Sequence, residues 1–403
     1  MPDAGDNDRG LVSLRSVVIV GASLAGLAAA HRLRDLAFDG TITIVGDEES
    51  LPYQRPPLSK QFLTGDYDRP RINLRIQRQD FDWRLGARAT RLDVAENRIT
   101  LASGEQLAFD GLVIATGARA RVPSGFEGRD GTYTLRTVED AISIRERIAG
   151  GARKAVIVGA GFIGCEVAAS LRKLGCDVTI VEMDRLPLQR VLGERLGEVC
   201  RELHQSKGVN LELGVGVDGF VGTDSVEGVR LSDGRIIDAE IVIAGIGVTP
   251  NVEWLDGSGL ELQNGVVCDA TCTAAENIVA AGDVARSDHP RYGPIRIEHW
   301  DNAIGQGEAA AQTLIAGRKQ AAAFDMTPFF WSDQYDSKMQ LVGLPRPGDE
   351  LRVVEGALDE RRFVAVYLRN ERIVAAFMFN SMHRVIAYKT MVESNAHLEA
   401  KTA

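Results

Sequence analysis

One short pattern occurs twice in this chain of 403 residues, as VVIVGASLAGL at 17–27 and as VIVGAGFIGCE at 156–166. Each copy follows an apolar β-type run and opens a stretch of helical periodicity. Each also has an acidic residue about twenty positions after its last glycine, in TITIVGDE and in DVTIVEMD. In such a strand–turn–helix–strand unit the first glycine makes a tight turn and the second lets the backbone approach a pyrophosphate. The third permits close helix–strand packing, and the helix N-terminus faces the negative charge. A single match is weak evidence. Two, each with its acidic partner, predict a chain that holds two dinucleotides at once.

The rest of the composition narrows the class. Apolar residues make up 45% and charged residues 25%, ordinary values for a globular protein, and the length allows two or three domains. A net charge of −10 argues against a general nucleic-acid binder, because neutralising phosphates requires a basic surface. Five scattered cysteines, Cys165, Cys176, Cys200, Cys268 and Cys272, fit a reducing compartment better than a disulfide scaffold. No segment carries the apolar run of a membrane span. The N-terminal MPDAGDNDRG is polar and acidic, without a signal-peptide core, and reads as a loose tail on a cytoplasmic protein.

Along the chain, the pattern from Arg15 predicts a strand at 16–20, a helix at 24–36 and a strand at 41–45. The Pro-rich LPYQRPPLSK then leads into a short helix near 58–63, and a small antiparallel piece follows. LVIATGA at 112–118 is a buried strand. The second unit spans 154–182 and is followed by a helix near 193–206, a buried strand at 241–247, a strand-to-turn at 277–285 and a helix around 302–316. From about Phe324 aromatics become dense, and RFVAVYL and RIVAAFMF alternate as an antiparallel sheet would. The expected organisation is α/β, with two Rossmann-like dinucleotide-binding domains and a C-terminal α+β domain. The first spans 1–117 and 245–323, the second 118–244, and the third 324–403.

In the first copy Gly21, Ala25 and Gly26 form the turn, with Ser23 where a second glycine is expected, and Asp47 is placed to bond an adenosine ribose. Beyond the two turns, a series of stretches occurs in order: PPLSK (56–60), ATGARAR (115–121), LRTVEDA (135–141), VGAGFIGCEVA (158–168), AGIGVTPN (244–251), AAGDVA (280–285), EHWDNA (298–303) and FFWSDQYD (329–336). Through these the chain, over roughly 15–395, resembles the FAD-containing, NAD(P)H-dependent ferredoxin reductases that serve bacterial oxygenases and cytochromes P450. The resemblance implies a glutathione-reductase-like fold of FAD, NAD and C-terminal domains. It also implies bound FAD, NADH as substrate and an acidic [2Fe–2S] ferredoxin as acceptor, with no nucleic acid, membrane or metal site.

Carried over by position, the resemblance puts Lys60 against the flavin, where a cation stabilises the electron-rich reduced ring. Arg136 helps hold the adenine side, Ala89 offers a backbone contact to adenine, and Thr116 and Gly117 stand among the FAD contacts. Gly282 and Asp283 bind the ribityl or pyrophosphate region, and Trp300 offers its backbone to the ring. In the second copy Gly159, Gly161 and Gly164 are all present, with Ile163 and the backbone at Gly245 near the nicotinamide. Glu166 sits just inside the helix, on a face that reaches toward Lys60. Glu182 ends the following strand, where a carboxylate accepts ribose hydroxyls and repels a 2′-phosphate, which favours NADH. Arg185 and Arg190 follow closely, and either is near enough to soften that preference.

Cysteine placement removes close competitors. Flavin disulfide reductases need a redox pair against the ring, yet no cysteine precedes Cys165, and Cys268 and Cys272 read as small buried residues. The one-electron acceptor must then be another protein. A rubredoxin reductase or another flavin redox component shares these motifs. So does an NADH-sensing interaction protein resembling the apoptosis-inducing factors. For docking an acidic partner, the run Arg69 to Arg91, with Arg71, Arg75, Arg78, Arg84 and Arg88 inside it, is the densest basic stretch.

Overall fold

The computed structural model describes residues 14–126 and 128–398, so the expected N-terminal tail at 1–10 lies outside the described residues. The chain divides into two compact units. One comprises 1–53, 74–118 and 250–326, and the other 54–73, 119–249 and 327–403.

The first unit is built on a six-stranded sheet. The Ser16–Val20 strand lies between Thr41–Val45 and Gly111–Ile114, parallel to both, with Val20 opposite Val45 and Ile114. Their runs of Val, Ile and Leu are buried throughout, as strands covered on both faces require. Each fully buried side chain of this kind contributes roughly 1.5–3 kcal/mol to stability. The Leu24–Asp35 and Trp300–Ala316 helices share one apolar cluster on a face of that sheet, through Ala25, Ala29, Leu33, Ala303, Ala311 and Leu314. The other face carries a separate cluster beneath the three-stranded antiparallel piece Ala89–Asp93, Arg98–Leu101 and Gln106–Ala108.

The second unit repeats the theme and adds a sheet. Lys154–Val158 is parallel to Asp177–Glu182 and to Ile241–Ala244 in a five-stranded sheet, and the Phe162–Lys173 helix follows the turn between the first two. A second five-stranded sheet, wholly antiparallel, is made by Phe329–Gln334, Ser337–Gly343, Glu350–Ala357, Arg362–Arg369 and Arg372–Phe379. Its Phe363, Phe377 and Phe379 are buried in one cluster with Leu171, Leu196 and Val199 of the helices.

Several local readings change. The helix expected near 58–63 is a 3₁₀ turn over Pro56–Ser59, because the paired prolines fix φ and withhold their N–H groups. The strand expected to reach 247 ends at Ala244. The helix expected from 193 begins at Gln189 and is interrupted at Gly193, whose φ of +78° is not helical. A helix at Val138–Ala149 escaped the sequence reading, although Thr137 and Asp140 form a capping box at its start. Among the described residues no helix is long and apolar enough to cross a membrane.

Candidate active site

Both Gly-rich turns sit at the carboxyl ends of parallel strands, the edge where open α/β sheets bind ligands. In the first unit Gly21 takes φ +129°, and a Cβ there would lie 2.0 Å from the Ala115 carbonyl oxygen. Only glycine lets the turn pass that close to the neighbouring strand. Ser23 is the N-cap of the Leu24–Asp35 helix, yet its hydroxyl caps none of the helix amides. Ala25 and Gly26 are buried in the first helical turn. Asp47, two residues beyond Val45, is exposed at the same sheet edge. Thr116 donates through Oγ1 to the Asn251 carbonyl at 2.8 Å, and Asn251 Nδ2 returns a bond to the Thr116 carbonyl at 2.9 Å, with Gly117 next in the loop. Gly282 donates its N–H to Gln306 Oε1 at 3.0 Å, and the Asp283 carbonyl accepts from Arg296 at 2.9 Å. Ala89 starts its strand and Trp300 its helix.

The second turn divides its glycines by role. A Cβ at Gly164 would lie 2.1 Å from the Gly159 carbonyl oxygen, so the protein's own packing forbids one. At Gly161, the helix N-cap, a Cβ would meet nothing within 4 Å. No side chain caps that helix. The turn therefore presents amide donors toward open space, which is what an incoming pyrophosphate needs. Glu182 is half-buried at the end of its strand. One oxygen accepts from the Ala160 amide at 2.7 Å and the other from the Asp184 amide at 3.0 Å. Each oxygen keeps a lone pair for a ribose hydroxyl. Arg190 is not free. It holds Asp184 through Nε at 2.6 Å and Nη2 at 3.3 Å, and this bonded carboxylate raises the guanidinium's pKa. Arg185 has no ion pair among the described residues. Ile163, Met183 and Ile246 are 47, 71 and 38% exposed around this edge, large apolar surfaces suited to flat rings. Sequence reasoning named only Ile163. Gly245 donates to the Val158 carbonyl at 2.8 Å. The donor set and the open cradle fit a dinucleotide.

Beside this turn the same unit holds an ion pair. Glu166, 2% exposed, accepts from Lys60 Nζ at 2.6 Å. The same oxygen accepts from Ser59 Oγ at 2.6 Å, and the other from Ser332 Oγ at 2.7 Å. Ser170 Oγ donates to the Ser59 carbonyl at 2.6 Å and so ties the Pro56–Ser59 turn to the Phe162–Lys173 helix. The structure thus brings Lys60 and Glu166 together, two groups 106 residues apart in sequence. Arg136 belongs to this second unit as well, its backbone N–H bonded to Asp140 at 2.7 Å and its carbonyl to Arg55 at 2.7 Å.

Two further expectations meet the structure. All five thiols are free and buried, and burial pushes those of Cys200 and Cys272 up to about 12. The arginine run carries less free charge than its sequence suggested: Arg78 pairs with Asp35 at 3.1 Å, Arg84 with Asp82 at 3.1 Å and Arg91 with Asp93 at 3.8 Å. Arg71 lies over the Tyr67 ring, 4.0 Å from its centroid. Sequence reasoning missed Ser332, whose signal was a small polar residue on the buried parity of a strand that opens with three aromatics.

With this geometry in place, comparison with known proteins is specific. Residues 15–307 match the family described as pyridine nucleotide-disulphide oxidoreductase, and 329–403 the one described as reductase C-terminal. Rhodocoxin reductase of Rhodococcus erythropolis is 37% identical over 397 residues, covering 96% of this chain and 92% of its own. The covalent putidaredoxin reductase–putidaredoxin complex superposes with a TM-score of 0.88 at 32% identity, over 95% of this chain and 93% of the other. The ferredoxin reductase for the CYP199A2 system of Rhodopseudomonas palustris gives 0.90 at 31% identity, over 95% and 96%. The chain belongs to the pyridine nucleotide-disulphide oxidoreductase family, in the ferredoxin-reductase branch that carries the reductase C-terminal domain.

Proposed function

We propose that this chain is an NADH-dependent, FAD-containing reductase that passes single electrons to a [2Fe–2S] ferredoxin feeding an oxygenase or a cytochrome P450. FAD, when bound, would supply the conversion between two-electron hydride chemistry and one-electron transfer. The chain's residues hold, orient and neutralise. In this reading Gly21, Ser23, Ala25, Gly26 and Asp47 hold FAD, aided by Ala89, Thr116, Gly117, Arg136, Gly282, Asp283 and Trp300. Gly159, Gly161 and Gly164 take the pyrophosphate of NADH, Glu182 its ribose hydroxyls, and Ile163 with the Gly245 backbone borders the nicotinamide. Arg190, tied to Asp184, adds its charge only weakly to the ribose pocket. Lys60 supplies positive charge to the electron-rich ring, and Glu166 fixes the position of its amine.

The observation that carries this reading is the combination of two Gly turns with a complete set of buried thiols. Two dinucleotides have cradles, and every thiol is buried and unpaired, which supports an electron acceptor outside this chain. We take the functional domains as 1–117 with 245–323, 118–244, and 324–403; breaks between units fall near three of these borders, at 118, 249 and 326, whereas 54–73 and 327–403 cluster with the middle segment. Five unpaired thiols support a reducing, cytoplasmic setting.

The test is an anaerobic titration of the purified yellow protein with NADH, followed by addition of [2Fe–2S] ferredoxins and, in parallel, rubredoxins. Bleaching of a ferredoxin is expected. Release of FMN instead of FAD on denaturation, or reduction of rubredoxin alone, overturns the assignment.

A further inference from the structure

Behind Glu166 runs a line of buried polar side chains that the reading above does not use. Ser332, Gln334 and His204 are each 0% exposed, a costly choice of residues in a core unless every polar atom is satisfied. They are satisfied by one another. Gln334 Nε2 donates to Ser332 Oγ at 3.2 Å, and Ser332 Oγ donates to Glu166 Oε1 at 2.7 Å. Gln334 Oε1 lies 3.1 Å from His204 Nε2, and His204 Nδ1 lies 2.8 Å from the Tyr335 hydroxyl.

The direction of every bond follows from chemistry. An amide oxygen only accepts, so His204 carries its proton on Nε2. Burial lowers the His204 pKa to about 4, so the ring is neutral at pH 7 and its Nδ1 must accept from Tyr335. From Tyr335 through His204, Gln334 and Ser332, each group therefore donates toward the Glu166 carboxylate. Bonds aligned this way polarise one another and converge on the charge at the end of the line.

The backbone is bent to make this possible. Tyr335 opens the two-residue turn between paired Gln334 and Ser337, and it does so at φ +57°, a conformation that favours glycine. A tyrosine is held there at some cost, and its ring lands edge-on to His204, centroids 5.4 Å apart. Tyr335 also lines a 420 Å³ cavity, and so does Lys60, the partner of Glu166.

We propose that Ser332, Gln334, His204 and Tyr335 are positioning residues for the redox reaction: a one-way donor line that fixes the Glu166 carboxylate and, through it, the Lys60 amine. The inference rests on the reading of Lys60 given above. Ser332 acts directly on the carboxylate and the other three act through Ser332.

The experiment compares the Ser332→Ala, Ser332→Thr and Tyr335→Phe variants of the holoenzyme, each alone and with Lys60→Met. Flavin reduction by NADH is followed in stopped flow, and the flavin midpoint potential is measured. Lys60→Met alone should slow reduction and lower the potential. Losing a hydrogen bond to a charged group should slow reduction about tenfold in Ser332→Ala, and losing a neutral one should cost roughly two- to threefold in Tyr335→Phe. Ser332→Thr keeps the hydroxyl and should recover the parent rate. With Lys60→Met in place, neither Ser332→Ala nor Tyr335→Phe should slow reduction further. Equal losses with and without Lys60, or parent rates in Ser332→Ala, overturn the inference. If Ser332→Ala does not fold, Tyr335→Phe at the turn carries the same comparison. If Lys60→Met leaves rate and potential unchanged while Ser332→Ala and Tyr335→Phe alter neither, the reading of Lys60 falls and takes the inference with it. Imidazole ¹⁵N resonances of the flavin-free protein give an independent readout: the neutral Nε2–H form of His204 at pH 7 supports the line, and the Nδ1–H form or a charged ring overturns it.

Discussion

Replacing Gly161 by Ala separates what the second turn does for the protein from what it does for the nucleotide. Gly161 has φ −73° and ψ 179°, extended backbone that alanine adopts freely. The added Cβ would touch nothing within 4 Å, so no packing is disturbed. The folded protein should lose less than about 1 kcal/mol, the difference between a good and a poor N-cap residue. NADH fares differently. Its pyrophosphate must approach the uncapped amides through the space the methyl now fills, and one charge-assisted hydrogen bond lost is worth about 1.5–3 kcal/mol. That corresponds to roughly a 10- to 150-fold rise in KM for NADH. The assay pairs steady-state NADH–ferricyanide kinetics with thermal unfolding, and Gly164→Ala serves as the contrast. A Cβ there would lie 2.1 Å from a backbone carbonyl oxygen, so Gly164→Ala should lower Tm and activity together. If Gly161→Ala leaves KM at the parent value, or lowers Tm as far as Gly164→Ala does, the division of labour within the turn is wrong.

Glu182→Ala should narrow the preference for NADH over NADPH about tenfold in kcat/KM, because an acceptor for ribose hydroxyls and a charge facing a 2′-phosphate both disappear. Adding Arg185→Ala should take back part of that gain, whereas Arg190→Ala should not, and equal effects of the two arginines would refute the pairing argument. Ferredoxin reduction should slow as salt rises while ferricyanide reduction changes little. Charge reversal at Arg75 and Arg88 should mimic this at low salt more strongly than reversal at Arg84, which already faces Asp82 at 3.1 Å, and parallel loss of both activities would exclude the run as the docking surface.

The two nucleotide turns were legible in the sequence because they combine a backbone demand with a local pattern. A glycine that must pass under a neighbouring carbonyl, as Gly21 passes Ala115, leaves a fixed spacing that no other constraint imitates. The alternating runs at 362–369 and 372–379 were legible for a similar reason, since side-chain parity alone defines them. Long-range polar contacts leave no such trace. The Asp82–Arg84 pair, two residues apart on one strand, is local and follows from side-chain parity. Nothing in the sequence around Arg78, by contrast, revealed that Asp35 would face it, so a solvated basic stretch was expected where an ion pair forms. The donor line behind Glu166 was hidden for the same reason. Ser332 and Gln334 lie 128 and more residues from His204, and only the folded sheet makes them neighbours. A clue was present in the alternation of Phe329–Gln334, where two polar residues occupy the buried parity. A buried polar residue on an apolar face implies a partner elsewhere, although it does not name one.

Ser23 and Gly161 occupy the same place in the two turns, and the difference between them bears on why one dinucleotide should stay while the other exchanges. Each is the N-cap of the helix that follows, and neither supplies a side-chain cap. At Gly161 this is unavoidable. At Ser23 it is a choice, because serine is among the strongest N-caps, yet its hydroxyl bonds no helix amide. A half-buried hydroxyl that does not serve its own helix remains available to a ligand at that helix end. The first turn therefore offers its dinucleotide the amides plus one adaptable side-chain hydrogen bond, and the second offers amides alone. A resident cofactor gains from the extra bond, whereas a substrate that must leave each cycle does not. Ser23→Ala should consequently leave the unfolding temperature of the flavin-free protein within error, since no cap bond is lost. It should weaken FAD retention by about two- to tenfold, the worth of one neutral hydrogen bond. Ultrafiltration at graded FAD, read by flavin fluorescence, measures it. If the flavin-free protein is destabilised instead and FAD affinity is untouched, the hydroxyl serves the helix and the distinction between the two turns fails.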